Sequence, residues 1–500
     1  MNYLRMSPLH KLTFNNSFSR LPELFFSHVK PEPLAGAHLA NFNQDVADLL
    51  ELDGIDLNNP EHLAAFSGQT LLPGMQPIAQ CYAGHQFGNF VPRLGDGRAI
   101  LLGELDTHHN GKWDLQIKGS GPTPYSRGAD GRAVLRSTIR EYLCSEAMHN
   151  LGIASSRALC IIGSDEEVYR EQIEPGAMLL RVAPSHVRFG SFEYFYYSNR
   201  FDHIKTLADY VIATSYPELV DDDDRYIKLL RTVIQRTAVL LARWQAVGFS
   251  HGVMNSDNMS ILGITIDYGP YGFMDGYDPG YICNHSDHHG RYAFDQQPNI
   301  GLFNLSCLAQ ALLPLFSDDT EHAANLARAE LDMYQQAYVE AFSKQMRAKL
   351  GLTLQLDGDQ DLLQTLLDLM SKDKVDYTNL FRALSGFSTG PDAANHTLRD
   401  LFIHREQFDD WGARYARRLA EEPVTDAKRA AMMNTVNPKF ILRNYMAETA
   451  IRKAQDDKDY SEVDTLLALL RRPFDEQPDN EHYANPPPDW AQAISVSCSS

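Results

Sequence analysis

The chain has 500 residues, 44% hydrophobic and 22% charged, with a formal net charge of -20. The length predicts about three domain-sized units, and the composition predicts a chain able to bury a large core. The charge argues against a general nucleic-acid or membrane-surface binder, because phosphate-rich partners are repelled everywhere except at a local basic cluster. No apolar run approaches the roughly 18 residues that span a bilayer. The start, Met1 to Phe26, has no charged segment leading into an apolar stretch, so it does not read as a signal peptide. A cytoplasmic protein is expected. Six cysteines are too few for a disulfide scaffold. Cys81, Cys144, Cys160 and Cys307 lie in apolar or helical contexts and read as buried thiols, whereas Cys283 and Cys498 lie in polar, loop-like sequence.

The elements follow in chain order. Residues 1–70 read as an N-terminal extension. Residues 71–195 form a β-rich lobe, with strands expected at Ala99 to Leu105, Trp113 to Ile117, Ala158 to Ile162 and Met178 to Val182, each bounded by Gly, Asp or Asn. One helix interrupts them, from Ala133 to Leu151, on the stripe Leu135, Ile139, Leu143 and Ala147, with Gly152 as its stop. Residues 196–472 read as a helical lobe. Asp221 to Asp224 start a long helix ending at Ala246, where the helix dipole favours acidic residues. A polar loop, Ser250 to Asn258, precedes two short strands at Met259 to Leu262 and Ile264 to Ile266. Helices are expected over Gly301 to Leu313, Glu321 to Leu350 and Thr425 to Asp456. Residues 473–500, rich in Pro, Asp and Asn, read as an extended tail. The class is α+β with segregated strands and helices.

Chemistry concentrates around the loop after the long helix. Lys118 ends a strand, and Glu141 follows it in the interrupting helix. A strand Lys paired with a helix Glu is the phosphate-positioning pair of protein kinases. His251-Gly252-Val253-Met254-Asn255-Ser256-Asp257-Asn258, followed by Asp267-Tyr268-Gly269, matches the kinase order H-R-D-x-x-x-x-N and D-F-G. Asn258 and Asp267 are oxygen donors suited to Mg²⁺, with Mn²⁺ an option. One departure matters most. The position that holds the catalytic Asp in the kinase pattern is Val253 here, which accepts no proton. Asp257 is the available replacement base. Leu94-Gly95-Asp96-Gly97-Arg98 and Gly128-Ala129-Asp130-Gly131-Arg132 are Gly-rich turns of the kind that bring backbone N–H groups to phosphate. Arg181 and Arg188 offer bidentate phosphate contacts, or salt bridges between lobes. A clamp of Lys118, Arg181 and Arg188 suits a pyrophosphate leaving group.

The sequence resembles the selenoprotein O family, protein adenylyltransferases of kinase-like fold, from about residue 70 to the terminus. The stretches that carry the resemblance are Gln80 to Glu104, Gln116 to Arg127, Leu179 to Gly190, His251 to Asp275 and the tail Cys498-Ser499-Ser500. The resemblance implies a two-lobed protein-kinase-like fold with additional C-terminal helices. It implies ATP bound in the opposite sense to kinases and AMP transferred to Ser, Thr or Tyr hydroxyls of protein substrates. Gly95, Gly97, Arg98, Lys118, Asp130, Gly131, Arg181 and Arg188 would line the nucleotide, Asp257 would accept the proton, and Asn258 and Asp267 would hold Mg²⁺. Cys498 stands where eukaryotic members carry selenocysteine, and the resemblance favours a reversible Cys283–Cys498 disulfide that limits access of protein substrates.

Two other functions fit the same residues: an atypical kinase using Asp257 for γ-phosphoryl transfer, and an inactive nucleotide-sensing scaffold. The scaffold needs neither metal donors nor a Lys–Glu pair. A zinc reading of Cys283, His285, His288 and His289 fits no known ligand spacing, so that segment reads as a polar loop. The residues carry no signal for oligomeric state.

Overall fold

The computed structural model describes residues 7–390 and 395–497. Among these, eleven strands precede Pro184: β1 (Thr13–Phe14), β2 (Phe26–His28), β3 (His38–Phe42), β4 (Ile78–Gln80), β5 (Gly84–Gln86), β6 (Asn89–Val91), β7 (Ala99–Asp106), β8 (Lys112–Lys118), β9 (Ala133–Val134), β10 (Arg157–Tyr169) and β11 (Ile173–Ala183). Nine of them build one antiparallel sheet, ordered β2-β4-β7-β8-β11-β10-β3, with β1 on β7 and β9 on β11. The segment read as an N-terminal extension contributes β1, β2 and β3 to this sheet.

Strand alternation divides the side chains between the two faces. Ile100, Leu102, Leu115, Ile117, Leu180 and Val182 pack on one face beneath α1 (Gln44–Leu49) and α2 (Pro60–Phe66). The intervening residues Leu101, Ala177 and Leu179 face a larger core that contains α3 (Leu135–Asn150). Gln116, Lys118 and Arg181 share that second face, because each sits one residue from an apolar one, so alternation aims them at α3. Register reinforces this: Arg181 lies opposite Gln116, and Leu179 opposite Lys118.

Helices dominate the rest of the chain. After α4 (Phe189–Tyr197), α5 (Phe201–Ser215) and α6 (Arg225–Ala246), a small hairpin of β12 (Phe249–Ser250) and β13 (Gly272–Phe273) encloses the polar loop. Then follow α7 (Gln297–Leu312), α8 (Thr320–Leu331), α9 (Met333–Lys349), α10 (Asp359–Asp373), α11 (Tyr377–Ala383), α12 (His396–Arg399), α13 (Arg405–Leu419), α14 (Asp426–Asn434), α15 (Asn444–Asp456) and α16 (Ser461–Leu470). The class is mixed α+β, with an antiparallel sheet and many helices.

Several sequence expectations are corrected. Met259 to Leu262 and Ile264 to Ile266 do not form strands. Their backbone groups bond elsewhere: Met259 O accepts from Phe189 N at 2.9 Å, and Thr265 N donates to Ala154 O at 2.8 Å. The helix expected over 321–350 breaks at Asp332, and that over 425–456 breaks into α14 and α15 around Pro438. The tail is docked, not merely extended. Its 3₁₀ turns Pro478–Ala484 and Asp489–Ala493 lie against the helices, with Tyr483 donating to Glu462 at 2.6 Å and Arg452 stacked 5.1 Å from the Trp490 ring. No helix among the described residues is long and apolar enough to cross a membrane.

Candidate active site

The polar residues of the sheet meet α3 and the loop in one continuous network. Lys118 donates to Glu141 at 2.7 Å, and Arg181 grips the other Glu141 oxygen at 2.6 Å while donating to Gln116 at 2.9 Å. Arg181 also reaches Asp267 at 3.0 Å. Arg188, at the start of α4, pairs with Asp267 and donates to the Asp257 carbonyl at 2.8 Å. Cations and carboxylates alternate along this path, so each buried charge has a counter-ion. Burial acts to raise the Asp267 carboxyl, but the Arg188 and Arg181 guanidiniums outweigh it and hold the group well below the usual carboxylate range. Asp267 is therefore a fixed anion. Its φ of 57° lies in the left-handed region, which a non-Gly residue adopts only when its surroundings enforce it.

The loop is held from behind. His251 is buried, stacks on Trp244 and contacts the Ile266 carbonyl at 2.9 Å, just before Asp267. Asn258 Nδ2 donates to the Val253 carbonyl at 3.0 Å, which commits the amide nitrogen and leaves the amide oxygen as its acceptor or ligand atom. With the Asp267 carboxylate it makes an oxygen donor set that fits a hard divalent cation.

Asp257 differs from Asp267 in every respect that matters for a base. It is 7% exposed, and Oδ1 has no hydrogen-bond partner among the described residues. Oδ2 accepts from Gln86 Nε2 at 3.2 Å. Burial pushes its carboxyl up to about 7, more than Arg188 and the Gln86 bond bring it down. One carboxylate locked ionised and another poised near neutrality is the separation of roles that acid–base chemistry needs.

These groups border a cavity of about 530 Å³. Gly95, Gly97, Arg98, Lys118, Asp130, Arg181, Arg188, Val253, Asp257, Asn258 and Asp267 all line it. Gly131 does not. It packs against Gly121, where a Cβ would lie 2.0 Å from the carbonyl oxygen, and its φ is +66°. Glu141 stands behind the wall, holding Lys118 and Arg181. Residues missed from the sequence also line the cavity: Tyr82, Gln86, Asp96 and Arg170. Tyr82 lies 4.8 Å beneath Arg188, and Arg170 donates to Asp130 at 2.8 and 2.9 Å. The sequence signal for Tyr82 and Gln86 was their place in the stretch Gln80 to Glu104, and Asp96 stood besides in the Gly-rich turn Leu94 to Arg98.

The cysteines divide as follows. Cys81, Cys144, Cys160 and Cys307 are buried as expected. Cys283 is also buried, with Sγ directed at Ser250 O and Oγ at 3.5 and 3.4 Å, because the polar loop folds back over β12. Cys498 lies outside the described residues. Among those residues, Cys283, His285, His288 and His289 do not converge as a metal-ligating group.

Comparison with known proteins gives the family. The family model described as "Protein adenylyltransferase SelO" matches residues 8–471. The chain belongs to the SelO family. Membership thus begins at residue 8, well ahead of the stretch in which the sequence resemblance was placed. Similar relatives named "Protein nucleotidyltransferase YdiU" occur in Thioalkalivibrio sulfidiphilus, 56% identical, and Thiobacillus denitrificans, 55% identical. A third, in Myxococcus xanthus, is 54% identical. Each alignment covers 99% of this chain and 100% of the relative.

Proposed function

We propose that this SelO-family chain transfers AMP from ATP to Ser, Thr or Tyr hydroxyls of protein substrates, releasing pyrophosphate. The observation that carries the reading is Asp257. It is a buried carboxyl on the cavity lining, poised near pH 7, with one oxygen that has no hydrogen-bond partner among the described residues, while the kinase base position holds Val253. Asp257 accepts the proton of the attacking hydroxyl. Lys118, Arg181 and Arg188 bind phosphate oxygens, and Glu141 orients the first two. Gly95 and Gly97 let this turn of the cavity wall pack closely on Tyr125, since a Cβ at Gly95 would lie 2.4 Å from the Tyr125 ring and one at Gly97 3.0 Å from the Tyr125 carbonyl oxygen. Asn258 and Asp267 would hold Mg²⁺ (Mn²⁺ as a substitute), which would offset negative charge on the phosphates when bound.

The family and the order Lys118, Glu141, His251, Asn258, Asp267 support a kinase-like two-lobed architecture. In it, residues 71–195 form the nucleotide-binding lobe and residues 196–472 the helical lobe. A lack of nucleic-acid partners is our reading of the charge, and a cytoplasmic location is proposed beside it. The proposed Cys283–Cys498 disulfide has one support: Val496 O accepts from His285 N at 2.8 Å, which brings the tail close to Cys283. The activity is tested with ATP labelled on either the α or the γ phosphorus. Protein-bound label from the α position is expected. Label from the γ position alone would make the chain a kinase, and label from neither would favour the scaffold.

A further inference from the structure

We propose that His85, Glu193 and Cys307 form a second divalent-cation site, suited to a borderline-soft ion such as Zn²⁺, beside the nucleotide cavity but outside its lining. The three come from separate elements: β5, α4 and α7. Their ligand atoms all lie within 4.8 Å of one another. Tetrahedral ligation at about 2.0–2.3 Å sets such atoms about 3.4–3.8 Å apart, so shifts of about an ångström, which draw the widest pair together and part the His85–Glu193 pair, reach that spacing.

An independent observation points to a missing ligand. Glu193 is fully buried, one of its oxygens meets His85 Nδ1 at 2.5 Å, and the other has no hydrogen-bond partner among the described residues. An unsatisfied buried carboxylate oxygen is costly, and a cation supplies what it lacks. The donor set of one nitrogen, one oxygen and one sulfur selects against Mg²⁺, which takes oxygen ligands. Rings of Phe90, Tyr197 and Phe303 surround His85 at 5.4 to 6.0 Å and limit solvent, while the 13% exposure of the imidazole leaves an entry and room for a water as fourth ligand. Cys307 is a buried thiol. Binding forms the sulfur–metal bond and releases the thiol proton to solvent, and the imidazole ligates in its neutral form.

The site adjoins the proposed base. His85 N donates to Ser256 Oγ at 2.7 Å, and Gln86, the next residue, donates to Asp257. A bound ion would fix the β5–β6 hairpin that carries both contacts.

The test uses the full-length chain with excess Mg²⁺, so that the oxygen-donor site is filled, and titrates Co²⁺ as a spectroscopic stand-in. One Co²⁺ per chain is expected, with a thiolate-to-cobalt charge-transfer band that Zn²⁺ displaces. The band should vanish in Cys307→Ser and persist in Cys283→Ser. His85→Gln, at the accessible edge, serves should Cys307→Ser fail to fold, and should weaken Co²⁺ binding at least tenfold. Absence of the band in the parent protein, its persistence in Cys307→Ser, or unchanged Co²⁺ affinity in His85→Gln overturns the site. None of these readouts depends on AMP transfer, so failure of the proposed activity would leave them interpretable.

Discussion

Asp257→Asn separates the two consequences of burying this carboxyl. In the fold the group titrates near 7, against an ordinary value of 3.8. A difference of about three pH units corresponds to about 4 kcal/mol, at about 1.4 kcal/mol per unit. The sign follows from proton linkage. The folded state holds the proton more tightly, so the associated stability is fully present below pH 3.8 and is lost as pH rises through about 7. Asn carries no such penalty. Thermal unfolding should find Asp257→Asn more stable than the parent by about 1–2 kcal/mol near pH 5 and by up to about 4 kcal/mol at pH 8. Activity should move the other way. The parent's kcat/KM should fall about tenfold for each pH unit below 7, and the Asn variant should lose that acid limb together with about 10²–10⁴ in rate. Both assays need only purified protein across pH 5 to 9. A variant less stable than the parent at pH 8, or one retaining both rate and acid limb, would refute the base assignment.

Three further outcomes are expected. Asp267→Asn removes the nearer of two counter-ions of Arg188, leaving Asp96 at 4.0 Å, and one of the two for Arg181, so it should abolish transfer and cost about 3–5 kcal/mol in denaturant unfolding. Gly131→Ala should cripple folding without touching the cavity, read as lost soluble yield or a sharply lowered Tm, because no Cβ fits 2.0 Å from the Gly121 oxygen. Lys349 is buried against the Tyr377 and Phe381 rings, and burial depresses its ammonium to about 7. The stability tied to this group is present above pH 10.5 and lost as pH falls through 7, so Lys349→Met should stabilise the protein at pH 7, by up to about 4 kcal/mol on thermal unfolding.

Residues fixed by local pattern were legible in the sequence. Lys118 stands at the end of one stretch read as a strand and Arg181 within another, Glu141 stands in the helix read between them, and Asn258 and Asp267 keep a spacing that the loop between β12 and β13 holds together. Contacts made across long sequence separations were not legible. Gln86 reaches Asp257 over 171 residues, and nothing in its neighbours announces a partner. The strands β1, β2 and β3 have two, three and five residues, too short for alternation to register. Met259 to Ile266 has the composition of a hairpin, yet its backbone bonds residues 154–156 and 187–189, a competition that only the assembled fold reveals. Gly131 shows the reverse: the sequence offered it as a phosphate cradle, and packing against Gly121 uses it instead.

The central claim is that the α-phosphorus of ATP is attacked, and the small-molecule product reports this directly. Incubation with ATP, Mg²⁺ and a hydroxyl-bearing protein substrate should release one pyrophosphate for each modified side chain, with no ADP. ADP formed in step with modification, without pyrophosphate, would contradict the account.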